Sequence, residues 1–150
     1  MAAPYASLRV HLLWGTRGGR PWLDPEWRGR LFACASSALE GRGARLLCAG
    51  AARDHLHLYV EVPATRSVSD LVQATKSHTR RWIRRSFPHR SAFAWQAGYA
   101  AFSVTPRDDE RVMDYIRHQD TGHRERTFTT EYATLLEQHG LAYDLGRMLE

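Results

Sequence analysis

Lysine is nearly missing from this chain. Of 21 basic residues only Lys76 is lysine and 20 are arginine; against 16 acids they leave a formal net charge of +5 over 150 residues. Arginine suits bidentate phosphate contacts. A GC-rich genome would give the same bias through codon usage, and composition alone leaves both readings open. Cysteine is scarce as well. Cys34 and Cys48 are too few and too far apart for a disulfide framework or a Cys-rich zinc site, and their apolar surroundings make them core thiols. No run approaches the ~18 apolar residues that span a bilayer. No apolar stretch follows a basic cluster at the N-terminus, so no signal peptide is visible and a cytoplasmic location is expected. A Gly-rich loop of the Walker type is absent, so no nucleotide cofactor is implied.

What is present is a globular composition, 43% hydrophobic and 11% aromatic, without repeats or low-complexity segments. The length fits one domain over residues 1–150. Residues 8–15 alternate like a strand. Asp24-Pro25-Glu26 opens a helix, whose apolar stripe is Trp27, Leu31, Ala35, Ala38 and Leu39, and Gly41 and Gly43 end it. Strands at 45–52 and 54–62 follow, and Pro63 stops the second. Ser67-Val68-Ser69-Asp70 caps another helix, with Val68, Leu71, Val72, Thr75, Thr79, Trp82 and Ile83 on one face. A fourth strand at 98–104 precedes a helix from Thr105-Pro106-Arg107-Asp108 to about Gln119, and a last helix covers about 129–139. The order β-α-β-β-α-β followed by two helices is an α+β, ferredoxin-like arrangement, an antiparallel sheet with two helices on one face.

The segment Asp54-His55-Leu56-His57-Leu58-Tyr59-Val60-Glu61-Val62 alternates strictly. Leu56, Leu58, Val60 and Val62 share one face; His55, His57, Tyr59 and Glu61 share the other. Two imidazoles at i and i+2 are half of a divalent-metal site, or two solvated histidines on an open sheet. On the third helix Val112, Met113 and Ile116 form the core side, and Arg111, Tyr115, His118 and Gln119 lie opposite. A Gln carbonyl is an acceptable third hard ligand for Mg²⁺ or Mn²⁺, and a tyrosine one turn away would sit near the ion. Such a tyrosine is either a packing residue or a nucleophile toward a polarised phosphate.

Residues 66–90 hold seven basic side chains (Arg66, Lys76, Arg80, Arg81, Arg84, Arg85, Arg90) against one acid, Asp70. This reads as a solvated basic face or as a track for a nucleic-acid backbone. Trp95, Tyr99, His78 and His89 could stack on unpaired bases or belong to the core.

Asp54-His55-Leu56-His57 resembles the His-hydrophobic-His motif, and Tyr115-Ile116-Arg117-His118-Gln119 resembles the Tyr-Ile-x-x-Gln motif, of the single-tyrosine HUH transposases. That family includes insertion-sequence transposases and their REP-associated relatives. The resemblance extends over Trp14-Gly15-Thr16-Arg17, Lys76, Trp95-Gln96-Ala97-Gly98-Tyr99, Phe102-Ser103-Val104, Phe128, Glu131-Tyr132 and Leu135-Leu136. It implies that His55, His57 and Gln119 bind Mg²⁺ or Mn²⁺ and that Tyr115 cleaves single-stranded DNA through a 5′-phosphotyrosine. The same chemistry run backwards rejoins strands. It also implies a homodimer that recognises hairpin-forming ends, in which the tyrosine helix can complete the partner subunit's site.

The basic residues expected on DNA are Lys76, Arg80, Arg81, Arg84 and Arg85, and Arg111 is a candidate for activating Tyr115. Where relatives often carry a His or basic pair after the glutamine, this chain has Asp120-Thr121-Gly122-His123. Asp120 would weaken DNA affinity or add a metal contact. Three alternatives stand beside this reading: a domesticated relative, an idle hairpin-binding protein, and an unrelated metal-binding domain.

Overall fold

The structure, a computed structural model, describes residues 2–119 and 127–150, so Asp120 and His123 lie outside the described residues. Strands β1 (Arg9–Gly15), β2 (Arg45–Ala51), β3 (His55–Glu61) and β4 (Ala100–Val104) form one antiparallel sheet in the order β2-β3-β1-β4. Helices α1 (Arg28–Glu40) and α2 (Val68–Ser86) cover one face, which is the ferredoxin-like order read from the sequence. The buried side of α1 includes Leu31, Ala35, Ala38 and Leu39, and that of α2 is Leu71, Val72, Thr75, Thr79 and Ile83. The two threonines reach this core because their hydroxyls donate back to the carbonyls of Leu71 and Thr75, at 2.8 and 2.7 Å. Leu12, Trp14, Leu56, Leu58 and Val60 meet them from the sheet.

The element boundaries differ from the sequence pattern for local reasons. Asp24-Pro25 opens only a 3₁₀ turn, Pro25–Trp27, before α1. Trp27 is held there by stacking on Phe87, with ring centroids 4.7 Å apart. The fourth strand starts at Ala100 rather than residue 98, since the carbonyls of Gln96 and Gly98 turn to the Lys76 ammonium at 2.8 and 2.6 Å.

Two later helices, α3 (Asp109–Arg117) and α4 (Phe128–Gln138), cover the second face of the sheet. A 3₁₀ turn over Pro106–Asp108 leads into α3. The α3 backbone lies directly on β2: a Cβ at Gly50 would sit 1.9 Å from the Ile116 carbonyl oxygen, so only glycine fits. The N-terminus of α3 is clamped by Asp109, whose carboxylate accepts hydrogen bonds from the Tyr59 hydroxyl and the Arg9 guanidinium. Helix α4 packs through Phe128, Tyr132 and Leu136 against Leu13, Ala100 and Phe102.

Candidate active site

His55 and His57 project from β3 between the sheet and helices α3 and α4, and both are fully buried. Each imidazole has a partner that constrains its proton. His55 Nδ1 lies 2.7 Å from Asp54 Oδ1. A carboxylate only accepts, so Nδ1 carries the hydrogen and Nε2 offers its lone pair inward. Phe128 stacks flat on the His55 ring, with centroids 4.0 Å apart and planes 6° from parallel. A Cβ at Gly15 would stand 2.8 Å from that phenyl ring, so the glycine makes room for it. His57 Nδ1 shares a 2.7 Å hydrogen bond with His11 Nε2, from β1. Burial and the neighbouring His57 push His11 down to about 3.

Three further side chains meet the histidines. Gln119 Oε1 is 2.9 Å from His55 Nε2, and the Gln119 amide nitrogen donates to the Tyr115 carbonyl at 3.2 Å. Glu131, on α4, is buried, with its carboxylate oxygens 3.1 Å from His57 Nε2 and 3.7 Å from His55 Nε2. The Tyr115 hydroxyl donates to Glu131 Oε1. Ligand atoms of His55, His57 and Glu131 all fall within 4.8 Å of one another.

This donor set fits a divalent cation. The inward lone pair of His55, the Gln119 carbonyl oxygen and the Glu131 carboxylate are all acceptors that converge, and a cation is what such a set can share. Ligands at the ~2.1 Å bond length of octahedral Mg²⁺ lie about 3 Å apart along an edge, close to the 2.9 and 3.1 Å spacings here. Imidazole with carboxylate and amide oxygen suits Mn²⁺ as well as Mg²⁺.

The structure thus brings together His55, His57, Tyr115 and Gln119. It sets the other residues of the α3 outer face apart. His118 turns back to the Asp114 carbonyl at 2.8 Å. Arg111 is 78% exposed and pairs with Asp108 at 3.6 Å, on the wall of a cleft of about 400 Å³ that also reaches Tyr115, His11, Phe102 and His139.

On α2 the basic residues divide. Arg80, Arg81, Arg84 and Arg85 are exposed. Arg84 donates to the Phe93 carbonyl at 2.7 Å and shares a groove with Arg17, Arg20 and Trp22. Lys76 is half-buried, engaged with loop carbonyls and lying 5.6 Å from the Trp14 ring centroid; burial pushes its ammonium down to about 8. Trp95 belongs to the core, its indole donating to Thr79 at 3.0 Å, while Tyr99 and His89 are exposed and His78 is half-buried.

Residue-level reading of the sequence had no place for Glu131 or His11. Glu131 stands three residues after Phe128 and one before Tyr132, on the apolar stripe of its own helix, where an acid is out of place. The alternation of β1 puts His11 opposite Tyr59 and on the face of the histidine pair.

The IS200-like transposase family matches this chain over residues 4–119. The chain belongs to that family. Among its relatives, the transposases for insertion sequence element IS200 of Salmonella typhimurium and Salmonella typhi are each 24% identical to it over 118 residues, covering 75% of this chain and 77% of theirs. Two solved structures share this fold. A candidate transposase from Deinococcus radiodurans superposes with a TM-score of 0.66 at 22% identity, over 80% of this chain and 96% of the other. A REP-associated tyrosine transposase bound to a REP hairpin gives 0.60 at 13% identity, over 82% and 73%. No helix among the described residues is long and apolar enough to cross a membrane.

Proposed function

We propose that this IS200-like transposase cleaves and rejoins single-stranded DNA with Tyr115 as nucleophile and a divalent metal, Mg²⁺ or Mn²⁺, as cofactor. The observation that carries this is the meeting of the Tyr115 hydroxyl with the buried cluster of His55, His57, Gln119 and Glu131. The two histidines, Glu131 and Gln119 would hold the metal. When bound it would polarise the scissile phosphate and stabilise the charge that develops there.

The phenolic oxygen attacks phosphorus and the P–O3′ bond breaks. The 5′-phosphate stays on Tyr115, and the departing 3′ oxygen takes a proton from water to become a 3′-OH. Glu131 Oε1, the hydrogen-bond acceptor of the phenol, is placed to receive its proton. Attack by another 3′-OH reverses the sequence, so no nucleotide energy source is needed. Arg111, on the wall of the same cleft, favours the phenolate once substrate draws it from Asp108.

The DNA backbone follows the exposed arginines Arg80, Arg81, Arg84 and Arg85. Lys76 serves that surface by holding the 96–98 loop. Hairpin-forming ends are the preferred substrate and a homodimer the working form, as the family resemblance suggests; a REP hairpin is bound in one structural neighbour.

The test mixes purified protein, Mg²⁺ or Mn²⁺ and labelled single-stranded DNA from the flanks of its own gene. A metal-dependent covalent band that is absent from Tyr115→Phe is expected. Binding to those ends without any adduct would leave a hairpin-binding protein instead.

A further inference from the structure

The cluster contains one buried histidine that the chemistry above leaves idle. We infer that His11 sets the tautomer of His57, and so decides whether His57 Nε2 presents a hydrogen or a lone pair to the centre of the site. The inference rests on the metal site proposed above.

His11 Nε2 and His57 Nδ1 are 2.7 Å apart across neighbouring strands, and the rings are stacked with centroids 5.0 Å apart. Both residues are buried. A hydrogen bond between two neutral imidazoles carries one hydrogen, so one ring donates and the other accepts. When His11 Nε2 donates, His57 keeps its own hydrogen on Nε2, which faces the Glu131 carboxylate 3.1 Å away. When His57 Nδ1 donates, Nε2 is a bare lone pair fit for a cation, and His11 carries its hydrogen on Nδ1. Each arrangement holds two hydrogens in the pair. His57 therefore changes from donor to ligand without net loss of a proton from the site.

His55 has no such freedom. Its Nδ1 faces the Asp54 carboxylate at 2.7 Å, which fixes the hydrogen there and keeps Nε2 bare. The two histidines of one motif are thus a fixed ligand and a switchable one, and the difference lies in their second partners, a carboxylate against an imidazole. A partner of this kind is typically worth 10–100-fold in metal affinity.

Imidazole ¹⁵N shifts distinguish the two ring nitrogens by protonation, and Zn²⁺ is a diamagnetic probe that binds imidazole well. In chelator-treated protein, His11 and His57 should both be protonated on Nε2. With Zn²⁺ both should move to Nδ1 while His55 stays as it was. His11→Phe should lower Zn²⁺ affinity by roughly 10–100-fold, and His11→Gln, whose amide can donate or accept, should restore most of it. Should His11→Phe not fold, the wild-type shifts and the Gln variant decide. Zinc bound at His57 with an unchanged tautomer overturns this inference and spares the metal site. Zinc that leaves the His55 and His57 signals untouched overturns both.

Discussion

The two faces of β3 are buried alike and built differently. Leu56, Leu58 and Val60 enter the core under α1 and α2 and need only neighbours of suitable volume. On the other face the buried side chains stand against named polar groups: His55 beside Asp54 and Gln119, His57 beside His11 and Glu131, and Tyr59 bonded to Asp109. Burying such groups unpaired would cost about 1–3 kcal/mol each. The first face therefore supplies stability that tolerates exchange of similar side chains. The second supplies position, and its residues come from four separate segments of the chain. An interior built of polar pairs is the arrangement that can hold a cation and a nucleophile still.

Breaking each face separately should separate these roles. The largest effect is expected from Tyr115→Phe. It should abolish covalent adduct formation while leaving DNA affinity close to wild type, and it should cost about 1–3 kcal/mol of stability because the buried Glu131 carboxylate loses a donor, as gel and melting assays would show. Leu58→Ala should do the opposite, destabilising the fold by about 2–5 kcal/mol in urea titrations with Zn²⁺ or Mn²⁺ affinity retained by the folded protein. Equal damage to metal binding would mean that the faces are not independent. Glu131→Gln keeps the shape of the side chain and removes the carboxylate. Calorimetry should show Mn²⁺ affinity reduced at least about tenfold, at the low end for a group supporting a metal site.

The clamp at the α3 N-terminus sharpens the contrast through pH. Tyr59 and Arg9 hold the Asp109 carboxyl below its ordinary value. Its contribution to stability is present above about pH 4 and lost as pH falls further. Burial and Asp109 push the Tyr59 hydroxyl up to about 12, so its contribution is full below about pH 10 and lost as pH rises through 12. Asp109→Asn should flatten the acid limb of a stability–pH curve and only reduce the alkaline one, which burial of Tyr59 sustains, and an unchanged acid limb would refute the clamp. The smallest effect belongs to the outer surface. Arg80→Ala and Arg81→Ala should each weaken DNA binding evenly across sequences and lower the salt slope by about 1, without touching metal affinity.

How far the sequence alone could go follows the same division. Period-2 and period-3.6 patterns name the residues of the apolar face, because hydrophobic burial leaves its mark at each position independently. The stripes of α1 and α2 were readable in this way. His55, His57, Tyr115 and Gln119 were readable from their spacing within two elements. Glu131 and His11 were not, since each acquires its meaning only when α4 and β1 are brought against β3. The outer residues of α3 show the converse limit. Helical spacing groups Arg111 and His118 with Tyr115 and Gln119, yet Arg111 and His118 remain exposed with local partners. Lys76 likewise counts as free positive charge in a sequence and is engaged by backbone carbonyls in the fold.

The central claim is that Tyr115 attacks DNA from within the metal-binding cluster. The most direct measurement is mass spectrometry of the protease- and nuclease-trimmed covalent adduct formed with Mn²⁺. The account predicts a nucleotide joined through its 5′-phosphate to the peptide containing Tyr115, and none when metal is chelated. A link to any other residue, a 3′-phosphate linkage, or an adduct that forms equally well without metal would contradict it.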